Sequence, residues 1–104
     1  MAVPRAERMH EGAATLALQS RSLRGPVACV DLETTGGMAA HHRVIEVGIV
    51  LLERGEIVEE WSTLVHPGIR IPSSIAAFTG IDDSMVAAAP PFADVVQEVR
   101  RRLE

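Results

Sequence analysis

The residues best equipped for chemistry in this chain form one short block, Asp31-Leu32-Glu33-Thr34-Thr35-Gly36. On an extended backbone, residues two apart face the same side, so Asp31 and Glu33 can bring two carboxylates together while Leu32 turns toward the core. No Lys or Arg stands beside them in the sequence. Oxygen-only ligation with water completing the shell suits a hard divalent cation, Mg²⁺ or Mn²⁺. An acidic pair leaving a strand is also the makeup of an ordinary solvated turn, and Thr-Thr-Gly would end such a strand equally well.

The elements that must position this block are legible on both sides of it. Val27 to Leu32, Val44 to Glu53 and Ile57 to Val65 are rich in Val, Ile or Leu and bounded by turn residues, which predicts three strands. Glu53-Arg54-Gly55-Glu56 joins the last two as a hairpin. The first strand is apolar on both faces, which suits the centre of a sheet covered by helices rather than an edge. Phe92, Val95, Val96, Val99 and Leu103 recur at three- and four-residue steps after Pro90-Pro91, which predicts an amphipathic helix at the end of the chain. Between them, His66-Pro67-Gly68 reads as a turn, and Ser73 or Ser74 can cap a short helix that Gly80 ends. Upstream, Met9, Ala13, Leu16, Ser20 and Leu23 share one helical face, with Gly25-Pro26 as its stop. Residues 1–25 therefore read as a helical extension, and residues 26–104 as the part that carries the strands.

Length and charge narrow the possibilities. A chain of 104 residues is one domain at most and buries only about 60–68% of its unfolded surface. Its ten basic residues, all Arg, face fourteen acids for a net charge of −4, so no broad basic footprint for nucleic acid exists and any such binding must be local. The lone Cys29 sits in an apolar run and reads as a small buried hydrophobe in a reducing compartment. The longest apolar run, Val47 to Leu52, is far short of a bilayer span, and the expected location is cytoplasmic, away from membranes. Three strands under one full covering helix leave an apolar face short of cover, so the domain is expected to continue beyond Glu104.

Several blocks then fall in a familiar order. Val30-Asp31-Leu32-Glu33-Thr34-Thr35-Gly36, Arg43-Val44-Ile45-Glu46-Val47-Gly48, Phe78-Thr79-Gly80-Ile81, Asp83, Met85-Val86 and Ala89-Pro90-Pro91-Phe92 together resemble the DEDD exonuclease superfamily. The similarity is strongest to its DnaQ-like branch, which includes the proofreading epsilon subunit of bacterial DNA polymerase III, the PolC exonuclease and ribonuclease T. The resemblance implies an α/β, ribonuclease H-like fold, here the N-terminal part with three mixed or antiparallel strands and packing helices. It further implies 3′ to 5′ removal of nucleotides by two-metal hydrolysis, with two Mg²⁺ or Mn²⁺ ions in the complete site. Asp31 and Glu33 match the first carboxylate motif as catalytic metal ligands.

Thr34, Thr35 and Gly36 match positions that contact the terminal nucleotide in that family, and Phe78 and Thr79 match the segment along its base and sugar. Many proofreading relatives carry His where Thr79 stands. Phe78 reads equally well as a core aromatic, and the Thr-Gly pair as a plain turn. Glu46, a charge in an apolar strand, must be paired or solvated and reads as structural, supporting the loop of His41 and His42. His10 and His66 read as exposed, and Arg100-Arg101-Arg102 as cations complementing a helix C-terminus. The family's remaining Asp motifs and its general base would lie past residue 104. The expected function is thus a DNA 3′ to 5′ exonuclease linked to proofreading or repair, inactive as these 104 residues alone. Its partners would be a single-stranded or frayed DNA 3′ end, or RNA, and DNA polymerase subunits. The competing reading is a non-catalytic nucleic-acid-binding or oligomerising module.

Overall fold

A computed structural model describes residues 3–19, 25–38 and 40–104. Two short helices, α1 (Arg5–Arg8) and α2 (His10–Gln19), precede three strands, β1 (Val27–Thr34), β2 (Val44–Glu53) and β3 (Glu56–Leu64). Helices α3 (Ser73–Thr79), α4 (Asp83–Val86) and α5 (Phe92–Leu103) follow. The strands form one antiparallel sheet in the order β1-β2-β3. Ser20 and Leu23, expected on the N-terminal helical face, lie outside the described residues.

The hairpin forms where the sequence places it. Arg54 and Gly55 both have positive φ, 52° and 79°, the signature of the tight turn whose twist matches that of the strands it joins. Leu52 pairs with Ile57 and Val50 with Glu60, with one irregularity between Leu51 and Leu52.

Alternation along β2 divides the core in two. Val47 and Ile49 face Val65 and Val95, with Trp61 and Val99 packed alongside, so α5 covers this side through Val95 and Val99, while Phe92 and Leu103 at the ends of the expected stripe are 47% and 48% exposed. At the same end, Ile45 packs with Ile71, Ile81 and Val86, which seats α3 and α4. A parallel bridge between His66 and Pro91, with the His66 N–H donating to the Pro90 carbonyl, ties the end of β3 to the start of α5. On the opposite face, Val50 and Leu52 pack with Ala6 and Ala13, flanked by Met9, Val27 and Cys29. The N-terminal segment therefore packs directly on this face of the sheet.

Three expectations are corrected. Leu32, expected to turn toward the core, is 46% exposed, and Val30 beside it on the same face is 47% exposed, because among the described residues α5 does not cover β1, the outer strand of the three. Pro72, not a serine, is the N-cap of α3: its fixed φ starts the helix, and Ser73 and Ser74 fall inside. Glu46 supports the N-terminal helices instead of the histidine loop. It is buried, accepts from the Arg8 guanidinium and from the Arg5 backbone N–H, and sits across from Glu33 in the strand register. Helix α4, not anticipated, starts where the Asp82 carboxylate accepts the Met85 N–H at 3.0 Å.

Burial pushes the Glu46 carboxyl above the ordinary glutamate range, against the opposing pull of the two arginines. The folded chain thus holds this proton more tightly than the unfolded chain, and the group's contribution to stability falls as pH rises from about 4 upward. In Glu46→Gln the stability gained on acidification from about pH 7 to 5 is smaller than in the wild type, as read by urea unfolding at each pH. At the hairpin, Arg54→Asn relieves a left-handed residue and raises stability by about 0.5 kcal/mol in the same assay.

Candidate metal and 3′-end site

The β1–β2 register shifts between Glu33 and Thr34, immediately after the two acids have been set on the same face: Glu33 pairs with Glu46 and Thr34 with Val44, which leaves Ile45 of β2 as the extra residue. The register fixes that face: Asp31 lies opposite Gly48, and Glu33 opposite Glu46. These positions continue the row of Val27 and Cys29, so the carboxylates are on the side covered by α1 and α2. Leu32 points away from them as alternation requires, but into solvent rather than core.

Asp31 and Glu33 are joined by one cation. The Arg5 guanidinium pairs with Asp31 Oδ2 through Nη2 and with Glu33 Oε1 through Nη1 at 2.7 Å. A planar fork that reaches both acids shows that their oxygens are near enough to share a single positive charge. The donor set is oxygen only, so the pair fits part of the shell of a hard divalent cation. Among the described residues no group of three His, Cys, Asp or Glu side chains gathers as a metal cage, and Glu46 is committed to Arg8.

The residues after the acids close a loop on themselves. The Thr34 hydroxyl donates to the Gly36 carbonyl at 2.7 Å and accepts from its N–H. Buried Thr35 exchanges bonds with Arg43, donating its N–H to the Arg43 carbonyl and accepting the Arg43 N–H on its hydroxyl. Gly36 is required by packing, since a Cβ there would lie 2.5 to 2.7 Å from three atoms of the His42 ring. His42 in turn accepts the Met38 N–H on Nδ1, so it is half-buried while His41 is exposed.

Phe78 is 87% exposed on α3, which overturns the core alternative for this ring. Thr79 is engaged locally: its hydroxyl donates to the Ile75 carbonyl and accepts the Ile81 N–H, beside the left-handed Gly80 that ends the helix. Among the described residues, no hydrogen bond or ion pair links Phe78 or Thr79 to the carboxylate pair. His10 pairs with Glu60, and exposed His66 accepts the Gly68 N–H at 3.0 Å. The three C-terminal arginines are occupied: Arg100 with Glu104, Arg101 with Glu98, and Arg102 with Glu98 and the face of Trp61.

Arg5 and Arg8 went unassigned in the sequence, yet a signal for them existed. Spaced three apart beside Ala6 and Met9, they share a helix flank with apolar residues, and three acids in apolar strands require cations from somewhere.

The exonuclease family model RNase_T matches residues 28–104. The DNA polymerase III subunit epsilon of Aquifex aeolicus is 37% identical over 84 residues, covering 81% of this chain and 42% of that relative. Exonuclease X, solved in complex with 5′ overhanging duplex DNA, superposes with a TM-score of 0.63 at 30% identity, over 69% of this chain and 42% of that one. The nuclease domain of 3′hExo, a DEDDh family member solved bound to rAMP, gives a TM-score of 0.68 at 26% identity, over 79% and 45% of the two chains. The chain spans less than half the length of each of these relatives. With its three strands, helices α3 to α5 and the Asp31–Glu33 pair inside the matched segment, the chain belongs to the RNase_T exonuclease family, with the ribonuclease H-like fold of the DEDDh nucleases.

Proposed function

We propose that this chain supplies the first carboxylate motif of a 3′ to 5′ exonuclease that removes nucleotides from DNA 3′ ends in proofreading or repair. The observation that carries the reading is the convergence of Asp31 and Glu33 on one cation at the end of β1, within the segment that matches the exonuclease family.

Exonucleases of the DEDD superfamily depend on divalent metal, and here Asp31 and Glu33 are the residues to hold Mg²⁺ or Mn²⁺. Two such ions, when bound, stabilise the attacking and leaving oxygens of an in-line displacement at phosphorus. The chain's own contribution is to place two carboxylates on one pleat face, at the end of β1 where the register with β2 shifts. Thr34, Thr35 and Gly36 shape the loop beside them, and its internal hydrogen bonds keep it rigid for the terminal nucleotide. Phe78 offers an unencumbered ring on which an unpaired terminal base can stack, with Thr79 next to it fixing the end of α3.

Local recognition of this kind suits an acidic protein. Cations gathered by its carboxylates, rather than a basic surface, would meet the phosphodiester. Relatives solved with duplex DNA and with rAMP support a nucleic-acid end as the substrate, and similarity to the epsilon subunit favours DNA with a polymerase as partner.

In the natural full-length chain, Asp31→Asn and Glu33→Gln each reduce Mg²⁺- or Mn²⁺-dependent trimming of a 3′-labelled strand by on the order of a hundredfold or more, since loss of mere outer-shell support already costs 10–100-fold in such sites. Trimming that survives in Asp31→Asn overturns the assignment. Phe78→Ala weakens single-strand 3′-end binding about tenfold in a fluorescence titration, in line with one lost stacking contact, and leaves the unfolding midpoint unchanged.

A further inference from the structure

The cation that joins Asp31 and Glu33 belongs to the chain itself. We propose that Arg5 is a tethered competitor of the divalent metal, and that the N-terminal helices form an autoinhibitory plug over the carboxylate pair. The proposal rests on the reading of Asp31 and Glu33 as metal ligands.

Three features of the seat support it. The fork of Arg5 engages both acids at once, taking one oxygen of each, in the space where a metal held by the pair would sit. A second, separate anchor holds the helix in place, because Glu46 on the same face accepts from the Arg8 guanidinium and from the Arg5 backbone N–H at 3.2 Å. The sheet also leaves room for the approach. Gly48 lies directly across from Asp31, and a Cβ there would sit 2.7 Å from Arg5 Cγ and 2.8 Å from Met9 Sδ. A glycine inside a buried strand weakens the strand, and here it accommodates the incoming helix.

The seat is nonetheless imperfect. Arg5 Nε is buried without a hydrogen-bond partner, so the docked state leaves one donor of the guanidinium unsatisfied. Release recovers hydration for that donor, which lowers the cost of undocking the helix. Arg cannot lose its proton in the accessible pH range, so deprotonation does not open the seat. A more highly charged cation can. Metal binding and helix docking then exclude one another, and linkage makes the effect reciprocal: the helix weakens metal binding, and metal loosens the helix.

The test is a Mn²⁺ titration of the natural full-length chain without substrate, following free ion by electron paramagnetic resonance. If the plug is seated about nine-tenths of the time, Arg5→Ala binds Mn²⁺ about tenfold more tightly than the wild type, and adding Asp31→Asn removes that binding. Equal affinities for wild type and Arg5→Ala, both lost on Asp31→Asn, overturn the plug while leaving the metal site intact. Binding by Arg5→Ala that is indifferent to Asp31→Asn removes the metal-site reading and the plug with it. A second measurement needs no variant. Hydrogen exchange in residues 5–19 of the wild type speeds up on adding Mn²⁺, and unchanged or slower exchange overturns the proposal.

Discussion

Three carboxylates on one face of a small sheet have to be neutralised, and the N-terminal half of this structure is arranged around that requirement. Asp31, Glu33 and Glu46 share the face because alternation and register leave them no other. Glu46 is the most demanding of the three, being buried to 4% exposure, and an isolated charge at that depth would shed its ionisation or unfold its surroundings. Arg8 answers it. Once Arg8 is committed there, helical geometry brings Arg5, one turn earlier, over the other two acids. The apolar contacts of Ala6 and Ala13 with Val50 and Leu52 follow from that placement and reinforce it.

The two faces of β2 accordingly differ in kind. On one, Val47 and Ile49 meet Val65 and Val95 in an ordinary apolar layer closed by an amphipathic helix. On the other, apolar packing gives way along the strand to ion pairing as Leu52 and Val50 are succeeded by Gly48 and Glu46. One strand thus carries a core at one end and a charged site at the other. The residues that stabilise the sheet hold the acids in position, and the register shifts by one residue where the acids give way to the loop.

Much of this was legible in the sequence. Strands over Val27, Val44 and Ile57, the Arg54-Gly55 turn and the Phe92–Leu103 helix follow from local composition and period, which depend on neighbours a few residues away. The placement of Asp31 and Glu33 on one side followed from pleat geometry alone. What could not be read were facts set by distant packing. That Leu32 meets solvent depends on where α5 lies over the sheet, and that Glu46 faces Arg8 rather than the histidine loop depends on which face the N-terminal helix chooses. The caps at Pro72 and Asp82 were missed for a different reason: several adjacent residues could have served, and backbone angles decided among them.

Charge also bears on why a guanidinium alone does not complete the site. Arg5 and Arg8 together leave the acidic face with one uncompensated negative charge, so a docked N-terminal helix keeps that surface repulsive toward a phosphodiester. A single positive charge spread over a planar fork also presents no vacant position for an incoming oxygen, because its donors are directed at the carboxylates. A divalent cation differs on both counts. It would bring one more positive charge than the guanidinium it displaces, cancelling the remaining negative charge of the face, and it would offer exchangeable water positions to phosphate oxygens. On the proposed reading, the same two carboxylates therefore serve two states with opposite consequences for substrate, and the occupant of the space between them decides which one the protein presents.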